Sequence, residues 1–147
     1  MKKKGFTLVE LLVVISVIGT LAALALVAFG PSQKQARDTQ RKSDLKQYQN
    51  VLENFANEHN SLYISKTSAT IPSTFCSTLG ISGDCPDDPK TGTYEYYYLS
   101  NGTGSGNNAT EYILWSVLEG AGGYWVTCSS GKTGNVSTVP SSSICPL

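Results

Sequence analysis

The most uneven feature of the chain is a long apolar run close to its N-terminus. Residues 6–30 read FTLVELLVVISVIGTLAALALVAFG and carry one charge, Glu10, among a few mildly polar side chains. A helix of about 25 residues rises about 37 Å, which exceeds the thickness of a hydrocarbon core of about 30 Å. The run therefore predicts a helix that crosses a membrane.

The charges around this run predict its orientation. Lys2, Lys3 and Lys4 precede it, and basic flanks stay in the cytoplasm, so the residues after Gly30 are expected outside. A secretory signal peptide also begins with basic residues, but its apolar region is only about 7–15 residues long. An ionised Glu10 costs about 2.5–3.5 kcal/mol near the bilayer centre, which indicates a role beyond anchoring. The alternative is that Glu10 stays hydrated at the cytoplasmic interface.

A second helical pattern follows the apolar run. Pro31 comes directly after Gly30 and predicts a kink or a local opening, with a plain helix end as the alternative. No Gly or Pro interrupts residues 32–60, so the helix is expected to resume. Apolar side chains then recur at helical spacing and predict a stripe that packs on a sheet. They are Leu45, Tyr48, Leu52, Phe55, Ala56 and His59.

The remaining chain predicts a small sheet. Residues 64–89 are rich in Ser, Thr, Pro and Gly and indicate a loop with a short helical turn near residues 73–79. Three runs rich in aromatic and β-branched residues follow, at residues 94–99, 112–118 and 124–128. They predict a three-stranded antiparallel meander across the second half of the helix, an α+β fold. The tyrosines of the first run are expected in the core, and residues 129–147 are expected to be loop.

Cysteine usage and charge limit the functional class. The four cysteines, Cys76, Cys85, Cys128 and Cys145, lack the close spacing of a zinc site. Of three pairings, Cys76 with Cys85 and Cys128 with Cys145 are favoured because each closes a short loop, and disulfides indicate an oxidising compartment. Eleven basic residues balance eleven acidic ones, so charge does not support binding to nucleic acid.

No catalytic residue emerges from the sequence. His59 is the only histidine, and it lies on the apolar stripe without a nucleophile motif, a phosphate loop or a set of metal ligands nearby. The chain is therefore predicted not to be an enzyme. Loops 100–110 and 129–147 are where binding to a host surface would reside, although nothing in the sequence supports such a partner.

The start of the chain resembles a known family. Lys4-Gly5 followed by Phe6-Thr7-Leu8-Val9-Glu10-Leu11-Leu12 is similar to the class III signal sequence of type IV pilins and type II secretion pseudopilins. The text QARDTQRKSDLKQYQNVLENFANEHNSLY resembles the continuation of the pilin helix, so the resemblance covers about the first 63 residues.

The resemblance implies a processing and assembly pathway. A prepilin peptidase would cleave between Gly5 and Phe6 and methylate the amine of Phe6. In the family, the glutamate at the position of Glu10 pairs with a neighbouring subunit's amine, so the correct axial register neutralises both charges. A cytoplasmic-membrane assembly platform and a separate ATPase would drive the growth of a helical filament. The subunit would lie in membrane lipid before assembly and in an extracellular or periplasmic filament afterwards.

This resemblance also implies four segments along the chain and leaves three functional classes open. Residues 1–5 form a leader, 6–30 a membrane and filament-core helix, 31–63 an amphipathic helix, and 64–147 a head. The charged segment 33–44 is expected to lie among lipid headgroups before assembly and to contact neighbouring subunits after it. A pilin, a type II secretion pseudopilin and a membrane-anchored binding module remain open. Asp84, Asp87 and Asp88 resemble a pseudopilin region that carries calcium, although ordinary turn chemistry explains Asp before Pro.

Overall fold

One long helix begins the ordered secondary structure. A computed structural model describes residues 5–81, 83 and 85–147. Helix α1 runs from Leu8 to Glu58 and includes Gly30 and Pro31, so the helix does not end there. The kink remains a prediction. The chain divides into two compact units, one ending at Lys34 and the other running from Gln35 to Leu147.

The first unit contains the apolar half of α1. Residues Leu8–Leu26 have a mean hydropathy of 2.5, and no part of this segment is buried. Nineteen helical residues rise about 28 Å, which is close to the thickness of a hydrocarbon core. This segment fits membrane anchoring, as the sequence predicted, and its large apolar side chains are exposed within the described chain.

Helix α1 ends in an unusual left-handed turn. Asn60 and Ser61 have φ values of 57° and 62°, a conformation that side chains other than glycine seldom adopt. The amide of Ser61 donates to the carbonyl of Ala56 at 2.8 Å, which satisfies a carbonyl at the helix end. His59 stacks on Phe55 with ring centroids 3.9 Å apart. The only histidine of the sequence thus packs against its own helix end.

The strands of the second unit form two antiparallel sheets. The larger sheet has four strands in the order β2-β4-β5-β6, and the smaller sheet pairs β1 with β3. A 3₁₀ helix at Pro72–Leu79 lies between β1 and β2, at the predicted helical turn. The strands are β1 Tyr63–Ile64, β2 Tyr96–Ser100, β3 Asn107–Ala109, β4 Tyr112–Val117, β5 Tyr124–Cys128 and β6 Thr133–Val136.

The predicted α+β class is confirmed, and the strand count was too low. The three predicted strands correspond to β2, β4 and β5, and the turn at residues 119–123 joins β4 to β5 as expected. Strands β1, β3 and β6 are short, and β6 reads TGNV, which has no alternating apolar pattern. A strand of two to four residues is too short to show an alternating pattern, and its pairing depends on the neighbouring strand. Periodicity along the sequence therefore does not reveal these three strands.

The face of the large sheet toward α1 forms the main core. Leu45, Tyr48, Leu52, Phe55 and Ala56 are buried, as the helical spacing predicted. They pack with residues of β2 and β4 that alternate toward the helix, namely Tyr96, Tyr98, Tyr112 and Leu114. The prediction that the tyrosines of the first run lie in the core is thus confirmed for Tyr96 and Tyr98, whereas Tyr94 and Tyr97 are half-buried. Gln49, a polar residue outside the predicted stripe, is buried as well, and its side-chain amide donates to the carbonyl of Cys128.

The opposite face of the sheet carries a second, smaller core. Ile113, Trp115 and Val126 are buried there, and the ring of Tyr97 stacks on Trp115 with centroids 5.4 Å apart. Cys145 from the C-terminal segment packs against the same cluster. The segment after β5 therefore covers a sheet face that would otherwise expose a tryptophan.

Candidate functional site

The predicted cleavage position lies in an exposed segment before the helix. Gly5 and Phe6 precede Leu8, where α1 begins, and Phe6 is 86% exposed. Among the described residues, no atom outside the immediate chain neighbours lies within 4 Å of the position that a Cβ on Gly5 would occupy. A protease can approach a bond that is exposed and lies outside helical structure, and residues 5–7 meet both conditions. Residues 1–4 of the predicted leader lie outside the described residues.

Glu10 takes part in a capping box at the start of α1. The Glu10 carboxylate accepts the backbone amide of Thr7 at 2.9 Å and the Thr7 hydroxyl at 2.8 Å. The Thr7 hydroxyl in turn accepts the amide of Glu10 at 3.2 Å. This reciprocal arrangement is the Ser/Thr-x-x-Glu capping box, which satisfies amides left free at a helix start. Within one chain, Glu10 therefore already has hydrogen-bond partners.

The other polar side chains of the apolar segment bond to their own helix. The hydroxyl of Ser16 donates to the carbonyl of Val13 at 2.8 Å, and that of Thr20 donates to the carbonyl of Val17 at 2.9 Å. Such bonds hide hydroxyl groups from an apolar environment. Glu10 is the only charged side chain of the segment Leu8–Leu26. It is therefore the side chain most affected when this helix moves from one apolar environment to another.

The second unit contains a buried ion network centred on Arg41. The Arg41 side chain has no exposed surface and forms two parallel bonds to the Asp88 carboxylate, at 2.6 and 2.9 Å. It also donates to Asp38 at 2.9 Å and to Glu119 at 2.8 Å. Its guanidinium carbon lies 5.0 Å from the centre of the Tyr94 ring. One cation thus connects α1 to two loops of the head.

Glu119 is the acidic centre on the other side of this network. Arg37 donates to both of its oxygens at 2.7 Å, and Lys90 donates at 2.8 Å. Asp38 accepts the backbone amides of Glu119 and Gly120, both at 2.8 Å. The network therefore fixes the turn between β4 and β5 to the helix through both side chains and backbone.

These contacts shift the pKa of the groups involved in opposite directions. Hydrogen bonds from Arg37, with further ones from Lys90 and Arg41, hold the pKa of Glu119 far below its ordinary value. Burial opposes the charge of Arg41, but Asp88 and Glu119 raise its pKa above the ordinary value. Burial raises the pKa of Asp44, although the Tyr96 hydroxyl donates to it at 2.7 Å. Glu119 thus stays charged in the folded head.

The network corrects the expectation for the charged segment 33–44. Asp38, Arg41 and Asp44 were expected to face lipid headgroups or neighbouring subunits, but all three are buried in their own head. The sequence showed charges nearly all round the helix, and Asp88 and Glu119, which neutralise Arg41, lie 47 and 78 residues further along the chain. A separation of this length leaves no local pattern to detect.

The calcium candidates do not form a ligand set in the described part of the chain. Asp84 lies outside the described residues, and Asp87 is exposed. Both oxygens of Asp88 are bonded by Arg41, and one also accepts the amide of Lys90 at 2.8 Å. Among the residues that the structure describes, no three His, Cys, Asp or Glu side chains gather as metal ligands. At Asp88, a guanidinium occupies the place that a cation would take.

The four cysteines form two disulfides. Cys76 is bonded to Cys85, and Cys128 is bonded to Cys145, with Cα atoms 6.3 and 5.7 Å apart. This is the pairing that the short loops favoured. The first bridge ties the 3₁₀ helix to the loop that precedes Asp88, and the second ties the C-terminal segment to β5. Both bridges therefore hold segments that contact the sheet or the network.

Two groups of site residues differ in whether the sequence alone reveals them. Thr7 could have been found, because Thr7-x-x-Glu10 before an apolar run is the written form of a capping box. Arg41 and Glu119 could not, because only the folded head brings them together. The residues predicted for processing and assembly lie close together along the chain: Gly5 and Phe6 precede α1, and Glu10 is in its first turn.

Comparisons with known proteins found one family model and one curated relative, and the family model matches the N-terminal part. A family model described as "Prokaryotic N-terminal methylation motif" matches residues 1–26. The "Type IV major pilin protein PilA" of Myxococcus xanthus (strain DK1622) is 35% identical over 57 residues. That match covers 39% of this chain and 26% of the relative, so it spans about a quarter of the relative's length. No solved structure matches the chain.

Proposed function

We propose that this chain, whose N-terminal segment carries the signal of the type IV pilin class, is the precursor of a structural subunit of a type IV pilus or pilus-like filament. The methylation motif and the pilin relative support a pilin-type or pseudopilin-type structural subunit. In the proposed pathway, a prepilin peptidase cleaves between Gly5 and Phe6 and methylates Phe6. In the membrane, the N-terminus of the subunit faces the cytoplasm and its head lies outside. The subunit then leaves the membrane and enters a filament.

One observation carries the proposal. A fully exposed apolar helix contains a single acidic side chain, Glu10, which lies four residues after Phe6 at the predicted cleavage site. Cleavage would create an ammonium group on Phe6, and a charge inside an apolar filament core is costly unless it is paired. Because Thr7 already satisfies Glu10 within the chain, the carboxylate has a low-cost position before assembly. In the filament, the amine of a neighbour becomes its partner.

Replacement of Glu10 tests this proposal. The variant Glu10→Ala should insert into the membrane and be cleaved at Gly5, yet form few or disordered filaments, because the amine of Phe6 loses its partner. Electron microscopy with antibody to the head measures the filaments, and mass spectrometry of the mature N-terminus measures cleavage and methylation. Ser16→Ala is the matched control, since it removes a polar group from the same helix whose hydrogen bond stays within its own turn.

Two other candidates predict different results. A pseudopilin would give a secretion defect in the Glu10→Ala strain and no surface filaments in the wild type. The Asp-Pro region that suggested this candidate is held by Arg41, whereas the disulfide from Cys128 to Cys145 encloses the C-terminal region as in many pilins. A membrane-anchored binding module would keep its location and binding after replacement of Gly5 or Glu10. Normal filaments in normal number from Glu10→Ala would contradict the main proposal.

A further inference from the structure

The head contains three Asn-x-Ser/Thr sequences, the acceptor pattern for N-linked glycans. They are Asn101-Gly102-Thr103, Asn108-Ala109-Thr110 and Asn135-Val136-Ser137. All three asparagines are exposed, so exposure does not distinguish them. Their hydrogen bonds do.

The first two sequences are joined by hydrogen bonds to each other in the segment between β2 and β4, which includes β3. Asn101 donates to the Thr110 hydroxyl at 2.8 Å and accepts the amides of Thr110 and Glu111 at 2.8 and 3.0 Å. Asn108 donates to the Thr103 hydroxyl at 2.6 Å and accepts the Thr103 amide at 2.9 Å. Each asparagine therefore holds the hydroxyl of the other sequence. A transferase would have to break these hydrogen bonds to reach either side-chain nitrogen.

Asn135 is held much less firmly. Its side-chain nitrogen donates to the carbonyl of Gly122 at 3.2 Å, and this is the one hydrogen bond of its side chain among the described residues. Asn135 lies on β6, an edge strand of the large sheet, and β5 is the one strand paired with β6 in the described part of the chain. Ser137, which supplies the required hydroxyl, is exposed directly after the strand. Loss of a single long hydrogen bond would free this nitrogen.

Space for a sugar lies beside Asn135. An open recess of about 590 Å³ adjoins it, and its lining contains no charged side chain: Ala121, Gly122, Gly123, Asn135, Val136 and Ser137. Gly122 and Gly123 have φ values of 70° and 75°, so the turn requires glycine, and no side chain from these two positions covers the recess. Backbone groups and small polar side chains suit the hydroxyl groups of a carbohydrate.

We propose that Asn135 is the acceptor of an N-linked glycan and that Asn101 and Asn108 are structural. In the reaction, the Asn135 nitrogen attacks the anomeric carbon of a polyprenyl-pyrophosphate-linked oligosaccharide. The new carbon–nitrogen bond replaces the bond from that carbon to the pyrophosphate oxygen, which leaves with the electron pair, and the nitrogen loses one proton to a base of the transferase. The inference rests on the proposed function only in placing the head outside the cytoplasm.

Glycopeptide mass spectrometry of the protein isolated from its own producing cell tests the assignment. The peptide that contains Asn135 should carry a glycan, and those containing Asn101 and Asn108 should not. Asn135→Gln and Ser137→Ala should both lose the glycan completely. Ser137→Thr should keep it, because threonine preserves the acceptor pattern. Thr138→Ala, which removes the neighbouring hydroxyl, is the matched control and should also keep it.

The same sample separates this inference from the proposed function. Thiol labelling reports whether all four cysteines, which form the bridges Cys76–Cys85 and Cys128–Cys145, are oxidised. An unmodified Asn135 in a protein with both disulfides formed would overturn the glycan assignment and leave the extracytoplasmic head in place. An unmodified Asn135 with free thiols would overturn both. A glycan on Asn101 or Asn108 would overturn the argument that their cross-bonded amides exclude transfer.

Discussion

At the residue scale, two buried serines on paired strands have opposite surroundings. The hydroxyl of Ser100 on β2 accepts the amide of Lys66 at 2.7 Å and donates to the carbonyl of Ile64 at 3.0 Å. The hydroxyl of Ser116 on β4 is fully buried and has no hydrogen-bond partner among the described residues. The two serines therefore form a matched pair for measuring what a buried hydroxyl contributes.

Replacement of each serine by alanine should change stability in different directions. Ser100→Ala should lower the free energy of unfolding by about 1–3 kcal/mol, because it leaves the Lys66 amide without its acceptor. Ser116→Ala should leave it unchanged or raise it by about 1 kcal/mol, because a buried unpaired hydroxyl is removed. Urea unfolding of the full chain in detergent measures both. A loss of about 1 kcal/mol or more for Ser116→Ala, the net contribution of a typical satisfied hydrogen bond, would contradict the absence of a partner for this hydroxyl.

At the scale of elements, the ion network replaces apolar packing where α1 leaves the main core. Arg41 and Asp88 have no exposed side-chain surface, and the side chain of Glu119 is 4% exposed. A buried ion pair is not in itself more stable than apolar packing, but removal of one partner leaves a buried charge and costs about 3–5 kcal/mol. The network thus makes the turn after β4 dependent on α1 and on the loop at Asp88.

The network should make the head sensitive to acid. The pKa of Glu119 is lowered chiefly by Arg37, and that of Asp38 is lowered, against its burial, by the amides of Glu119 and Gly120. Carboxyl groups with a lowered folded pKa stabilise fully above their ordinary pKa of about 4, and this contribution is lost as the pH falls below it. The free energy of unfolding should therefore decline between about pH 5 and pH 3.

Asp44 and a neutral variant provide the controls for this acid effect. Burial raises the pKa of Asp44, so its protonation on acidification favours the folded head and partly offsets the loss. Glu119→Gln should be less stable than the wild type at about pH 7 and should show a shallower decline below about pH 5. Circular dichroism followed during urea unfolding at several pH values measures the slopes. Equal slopes for both proteins would contradict the role given to Glu119.

At the scale of the whole molecule, the disulfides hold the least regular segments of the head. The bridge from Cys128 to Cys145 spans 17 residues and keeps the C-terminal segment on the face that contains Trp115. The bridge from Cys76 to Cys85 spans 9 residues beside the 3₁₀ helix. Both restrict the unfolded chain, and the longer closure restricts it more.

Removal of the two bridges should therefore have unequal effects. The double variant Cys128→Ser with Cys145→Ser should lose about 3 kcal/mol of unfolding free energy. Cys76→Ser with Cys85→Ser should lose less unfolding free energy. The shorter loop alone makes the loss about 0.6 kcal/mol smaller. The difference should be larger still, because the longer bridge also holds the C-terminal segment on the sheet. Paired replacement avoids free thiols. Urea unfolding in detergent gives both values, and a larger loss from the shorter bridge would be evidence against this ranking.

The sequence by itself determined the features that depend on neighbouring residues along the chain. Local patterns of apolar residues revealed the apolar segment, the helical stripe from Leu45 to Ala56 and three of the strands. Each pattern lies within a single helix or strand. The short loops between cysteines favoured the pairing that the structure has. The residues around Gly5 and Glu10 were sufficient for the resemblance to type IV pilins, because that signal is contiguous.

Only the tertiary structure decided where the polar residues lie. Asp38, Arg41 and Asp44 have the sequence pattern of an exposed charged helix, yet they are buried because Asp88 and Glu119 neutralise Arg41 and Tyr96 donates to Asp44. Strand β6 and the mutual hydrogen bonds of the Asn101 and Asn108 sequences likewise depend on partners elsewhere in the chain. A charge or an amide can be buried only where a partner meets it, and distant parts of a chain meet only after folding.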